Sequence, residues 1–190
     1  MAGKKNKVKY NLKNVHYAIL TLDESGNVTF GAPVAVPGAV SISLDPNGEP
    51  GIFYADGYAY YLVSNNMGYE GDLELAMVPE SFRTDVLKES LDENKVLVEN
   101  ANVETSRFAL LFEFDGDQKA IRHVLYNCSA ARPNIESATK EDEIEVKTET
   151  LSITASPLAN GYVKAKTGDD TTDAVYTAWY ESVYLPSNEK

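Results

Sequence analysis

A chain of 190 residues can bury about 70% of its unfolded surface in one domain, so a single domain over 1–190 that needs no disulfide is expected. The formal charge of −12, from 17 basic and 29 acidic residues, excludes a surface built to grip nucleic acid, which requires clustered lysine and arginine to displace counterions. No run of about 18 apolar residues occurs, and no apolar segment follows the N-terminal lysines, so a soluble chain made in the cytoplasm without a membrane partner is expected.

The charge is unevenly spread. Residues 1–13 hold five lysines (Lys4, Lys5, Lys7, Lys9 and Lys13) and no acid, leaving 12 of the 17 basic residues against all 29 acidic ones in the rest. This reads as a basic arm on an acidic body, either a solvated chain end or an arm that docks on the acidic surface of an identical neighbour through a salt-sensitive attraction; a nucleic-acid tail comes third, since the arm lacks repeated aromatics or arginines. Asn14 to Asp23 reads as a strand, turned by Glu24–Asn27 into Val28–Phe30 as a hairpin. Between about 31 and 52, Pro33, Pro37, Pro46, Pro50 and several glycines enclose one short alternating segment from Val40 to Leu44. That composition predicts a long loop standing off the body, with Pro46 and Asn47 as assembly contacts.

Tyr58–Val63 suits a strand, Asn65, Asn66 and Gly68 a turn, and Asp72–Val78 a second strand of alternating character. Pro79 starts a helix over about 79–89 whose buried stripe is Phe82, Val86 and Leu87. Val96–Val98 fits a short strand or a helix exit. Arg107–Phe114 is the most apolar strand, turning at Asp115–Asp117 into Ala120–Cys128, and Arg132–Pro133 ends that hairpin. Glu143–Ser156 alternates like a half-buried antiparallel strand, and Asn160–Gly161 predicts a type I′ turn returning it through Tyr162–Lys166. The last segment fits a short helix capped near Asp173 better than the extended edge its composition also permits, with Trp179 as a core anchor.

Chemistry is scarce. Cys128 has no second cysteine and lies among apolar neighbours; His123, the nearest histidine, is expected on the opposite face of its strand, which makes Cys128 core filler. His16 and His123 lack the partners a zinc site needs. Asp45, Asn47, Glu49 and Asp56 occupy positions 1, 3, 5 and 12 of a calcium loop, but Pro50 stands where the sharp bend needs glycine. Glu70, Asp72 and Glu74 share one face of a strand and read as an acidic, solvent-facing stripe. Gly-x-Ser-x-Gly, Walker A and Gly-x-Gly-x-x-Gly motifs are missing from the sequence, so neither a catalytic set nor a cofactor is expected.

Taken in order, the blocks Asn14–Ala18, Pro33–Ile42, Gly68–Phe82, Phe108–Asp117, Arg122–Cys128 and Ala131–Pro133 resemble the major tail protein family, the tail-tube subunits of long, non-contractile-tailed phages of Gram-positive bacteria. The resemblance implies a mainly β fold, an antiparallel β-sandwich or barrel-like subunit with one flanking helix. It also implies a structural virion protein of the tail, assembled in the host cytoplasm as stacked hexameric rings around the tape-measure protein, with tail-terminator and tail-tip proteins as further partners. DNA would transit the lumen without specific binding, and Glu70, Asp72 and Glu74 are the residues expected to face it. A β-sandwich carbohydrate-binding or adhesin module is the alternative, with Tyr54, Tyr58, Tyr60, Tyr61 and Tyr69 stacking on sugar rings and about half of them buried by alternation.

Overall fold

β-branched and aromatic residues recurring with period two drive most of this chain into strands. The computed structural model describes residues 5–23, 27–139 and 146–186. Among them the strands are β1 (Lys9–Leu22), β2 (Val28–Phe30), β3 (Val34–Ala35), β4 (Ala39–Asn47), β5 (Gly51–Ala55), β6 (Tyr58–Val63), β7 (Gly68–Leu75), β8 (Ser90–Leu91), β9 (Leu97–Val98), β10 (Phe108–Gly116), β11 (Ile121–Ala130), β12 (Glu149–Ser156) and β13 (Lys164–Lys166). Helix α1 (Glu80–Asp85) follows β7; α2 (Asp173–Thr177) and a 3₁₀ turn at Ala178–Tyr180 come last. The protein is thus mainly β, with a large antiparallel sheet and short helical pieces.

The sheet runs β2-β1-β10-β11-β12-β7-β4, with β3 added to β1 and β13 to β11. One face of each long strand feeds a single core: Val15 and Tyr17 of β1, Leu110 and Phe112 of β10, Leu151 and Ile153 of β12, Leu73 and Leu75 of β7, with Ile42 and Leu44 of β4 packed against them. Strands near opposite ends of the order share that core, so the sheet curls around it. Helix α1 covers the core with Phe82, whose ring meets Tyr17 and Phe108 edge-on at 5.2 and 5.5 Å. The Tyr17 hydroxyl donates to Asp85 at 2.7 Å, and burial pushes its pKa up to about 12.

The other face of β1, β10 and β11 is covered too. Ala18, Ala109, Leu111, Val124 and Tyr126 pack against Trp179, with Val175, Val183 and Tyr184 around it. Strand β10 is buried on both faces, which explains why Phe108–Phe112 is apolar without alternation. Trp179 is the core anchor expected, only 2% exposed.

Several expectations need correction. The strand read from Asn14 begins at Lys9, because residues 9–13 continue the ladder along β10, Lys9 opposite Gly116 and Lys13 opposite Glu113. The basic arm is therefore shorter than 1–13, and residues 5–7 are stitched to the β10–β11 turn. The Lys7 amide donates to Asp117 at 2.7 Å, the Asn6 side chain donates to the Lys119 carbonyl at 2.7 Å, and Lys13 pairs with Asp115 at 2.6 Å. Lys4 lies outside the described residues, as do Glu24–Gly26 of the first turn and 140–145 of the acidic segment, although β1 and β2 pair as expected.

The loop predicted over 31–52 is mostly sheet. β3 pairs with β1, and β4 pairs with β7 from Ala39↔Leu75 to Asn47↔Gly68. Pro46 is accommodated because β4 closes the strand order, where a missing donor interrupts no further ladder. At Gly71, opposite Leu44, φ is +152° and a Cβ would sit 2.0 Å from the Ser43 carbonyl oxygen, so only glycine lets the two strands approach. Shortening 38–52 would strip β4 from the core rather than trim a loop.

Strand β6 pairs with β5 and not with β7. Helix α1 ends at Asp85, short of the expected 89, and Lys88 beyond it takes a positive φ of 62°. At Asn160–Gly161 only the glycine has positive φ, whereas a type I′ turn needs two such residues. The Leu158 amide instead donates to the Tyr162 carbonyl at 2.8 Å, and the chain turns a corner there. β12 lies along Asn127–Ala130 of β11, and β13 along His123–Leu125 of the same strand. A bulge between the Leu110↔Leu125 and Phe108↔Cys128 pairs returns Cys128 to the face of Leu125, so His123 and Cys128 do not face opposite ways. Burial pushes the Cys128 thiol up to about 12, in keeping with core filler.

Candidate functional site

Strands β5 and β6 form a two-stranded ribbon apart from the main sheet. Phe53 stands opposite Tyr61, Ile52 opposite Leu62 and Gly51 opposite Val63. The ribbon turns at Asp56 and Gly57, whose φ values of 52° and 81° are the pair of positive angles a type I′ hairpin demands. Every β5 and β6 position except Ala55 is exposed, on both faces, Phe53 at 62% and Leu62 at 64%. Within 51–63 the only charged residue is Asp56. A lone two-stranded ribbon is marginally stable in water, and an apolar exposed strand is a template for pairing with another chain. The expectation that alternation would bury half of its tyrosines fails: Tyr54, Tyr58, Tyr60 and Tyr61 are all exposed, with Tyr69 alone half-buried. The Asp56–Gly57 dipeptide was the available signal for this hairpin, masked by the prolines and glycines before it.

The ribbon leaves the body between Asn47 and Gly68, which pair in the sheet, and the Met67 amide donates to the Asn47 carbonyl at 2.9 Å. Pro46 and Asn47 thus stand at its root, and the Asn47 side chain donates to Glu70 at 3.0 Å. Lys5 and Lys7 lie at the β10–β11 turn instead, while Lys9 lies with Leu44 and Tyr69 beside a cleft, so the structure does not gather the predicted contacts into one patch.

The stripe of Glu70, Asp72 and Glu74 lies on the face of β7 away from the core. The register makes three rows across the sheet: Ser41–Glu74–Thr150, Ser43–Asp72–Ser152 and Asp45–Glu70–Thr154. Glu74 accepts from Thr148 at 2.6 Å and Ser41 at 2.8 Å, bonds that hold its carboxyl below the usual range. Asp72 accepts from Ser152 at 2.8 Å. Neither lysine nor arginine occurs in β4, β7 or β12, so this is an acidic, hydroxyl-lined surface. Asp45 and Asn47 sit on β4 and Asp56 in the hairpin turn, so the calcium-loop spacing does not correspond to a loop.

His16 bonds locally, its Nδ1–H donating to the Asn14 carbonyl oxygen at 2.9 Å. His123 stacks on Phe112 at 5.1 Å, and its Nε2 is buried without a hydrogen-bond partner. Burial first, then Lys166, Lys9 and Lys164, push its pKa down to about 4 from 6.5. The folded state binds this proton less well than the unfolded chain, so the contribution to stability is whole above pH 6.5 and is lost as pH falls towards 4. We expect thermal stability to drop across that window by at most about 3 kcal/mol, and His123→Gln to flatten the drop when melting is followed against pH.

Sequence reasoning missed a buried polar knot. Glu113, 6% exposed, accepts from Arg122 Nε at 3.0 Å and from Asn14 at 2.7 Å. The signal was a lone acid inside an apolar strand with an arginine at its hairpin register. No protein-family model and no curated protein sequence matches the chain. Among the described residues no helix is long and apolar enough to cross a membrane.

Proposed function

We propose that the chain is a structural subunit that polymerises with copies of itself, of the kind that builds the tail tube of long, non-contractile-tailed phages. The observation that carries this reading is the β5–β6 ribbon, apolar and exposed on both faces, which a neighbouring copy would cover. The curled antiparallel sheet with α1 packed on its core supports a barrel-like tube subunit. The acidic surface of β4, β7 and β12 supports a lumen past which DNA slides, since a wall without cations offers no counterion release. In this reading hexameric rings stack head to tail around a tape-measure protein, with terminator and tip proteins closing the ends of a virion tail assembled in the host cytoplasm.

Negative-stain micrographs of the purified chain test this directly. Striated tubes of constant width are the expected result; a monodisperse monomer at every protein and salt concentration would sink the proposal. A second reading, a sugar-binding module, is favoured by the exposed Tyr58 and Tyr60, whose rings lie 5.9 Å apart. Exposed Ile52, Leu62, Val63 and Met67 favour a protein contact over a glycan. Glycan-array binding by a stable monomer would reverse that preference.

A further inference from the structure

A cleft of about 300 Å³ opens between β1, β4, β7, β10 and β11, within the size range of small-molecule sites. Its walls are Ile42, Leu44, Tyr69, Phe112, Phe114 and His123. Two ammonium groups hang over its aromatic rim: Lys9 Nζ lies 4.9 Å from the centre of the Phe114 ring, and Lys164 Nζ lies 4.0 Å from that of Tyr69 and donates to the Tyr69 hydroxyl. Lys166 stands opposite His123 in the β11–β13 register. Among the described residues none of these three lysines pairs with a carboxylate, in a chain whose charge is −12. The His123 ring forms part of the wall, and its Nε2 is buried without a hydrogen-bond partner.

We propose that this cleft binds a carboxylate carried on an apolar or aromatic stem. The carboxylate accepts from the Lys9 and Lys164 ammonium groups beside the His123 ring, and the stem packs on Phe112, Phe114 and Leu44. A neutral ligand leaves the cations uncompensated, while a nucleic-acid strand exceeds the cleft. Two sources carry this chemistry: a free organic acid, or an acidic side chain of a second copy.

The test uses phenylacetate as the probe and the His123 Cε1–H resonance as the readout, assigned by its loss in His123→Gln. The groups facing the imidazole are Lys9 from β1, Tyr69 from β7, and Lys164 and Lys166 from β13, with the rings of Phe112 and Phe114 from β10. In dilute protein, phenylacetate is expected to shift this resonance saturably and raise its titration midpoint by about one pH unit or more, since a bound anion favours the imidazolium. The Lys9→Gln, Lys164→Gln double variant should weaken binding about tenfold or more, while the His16 resonance stays put as a check on the fold. If the probe does nothing but the midpoint rises on concentrating the protein alone, the acid comes from a second copy. If neither raises it, or if phenylethanol binds as tightly as phenylacetate, the proposal is overturned.

Discussion

Replacing residues 48–67 by a two-residue Asn-Gly turn is expected to give a folded monomer that forms no tubes. Asn47 and Gly68 already face each other across the β4–β7 ladder, so the new turn closes a hairpin whose register exists. Residues of β5 and β6 belong to neither core cluster, so no buried contact is lost. The shorter connection should even add on the order of 1 kcal/mol, because closing a long flexible loop costs more chain entropy than closing a short one. Calorimetry should therefore show a melting temperature equal to or above that of the intact chain, while micrographs and sedimentation show only monomer.

A gentler version isolates side chains from backbone. Phe53→Ser with Tyr61→Ser removes one cross-strand aromatic pair and leaves the ribbon in place. Each large side chain withdrawn from a buried contact forfeits about 1.5–3 kcal/mol, so the concentration needed for assembly should rise at least about 100-fold. Tubes of normal yield from either variant would remove the ribbon from the assembly contact.

Arg122→Ala is expected to destabilise the fold by about 3–5 kcal/mol, since it leaves a buried carboxylate without its cation. At this chain length that is a fall in melting temperature of roughly 6–20 °C. Arg122 does more than neutralise Glu113. Its guanidinium lies 3.9 Å from the centre of the Tyr176 ring and donates to the Tyr176 carbonyl, and its amide donates to Thr167 at 3.0 Å. The Tyr180 hydroxyl also donates to Glu113, at 3.3 Å. The knot thus ties the β10–β11 hairpin to α2 and to the 3₁₀ turn after it, whose Trp179 covers the outer face of the sheet.

Two companion variants separate charge from packing. Glu113→Gln in the Arg122→Ala background should recover part of the loss, because a neutral amide is far cheaper to bury than an ion. Arg122→Lys keeps the charge but not the planar contact with Tyr176, and should fall between wild type and Arg122→Ala. A loss under about 0.5 kcal/mol for Arg122→Ala, the size of an ordinary surface change, would contradict the account.

Local pattern in the sequence carried most of the strands. Phe108–Phe114 and Leu151–Ala155 declare their burial by composition and alternation, Phe82, Val86 and Leu87 declare a buried stripe that starts in α1 and runs past its end, and Trp179 declares itself as an anchor. The solvent-facing side of Glu70, Asp72 and Glu74 follows from the period of a strand, which fixes relative orientation within one segment. These are short-range properties, settled by backbone sterics and side-chain spacing over a few residues.

Pairing partners were decided only in three dimensions. Pro46 looked like a loop residue until β4 proved to lie at an edge, and Tyr58–Val63 looked like a half-buried strand until its partner proved to be the equally exposed β5. Asn160–Gly161 carried the stronger dipeptide signal, yet the type I′ angles fell at Asp56–Gly57, because β13 is drawn along β11 and not back along β12. The bulge that brings Cys128 to the face of His123, and the meeting of Lys9 with Lys164 from opposite ends of the chain, have no local signature. The residues determine which segments extend and which face of each is apolar. Which strands meet depends on how all those faces close around one core, a long-range condition that no window of the sequence contains.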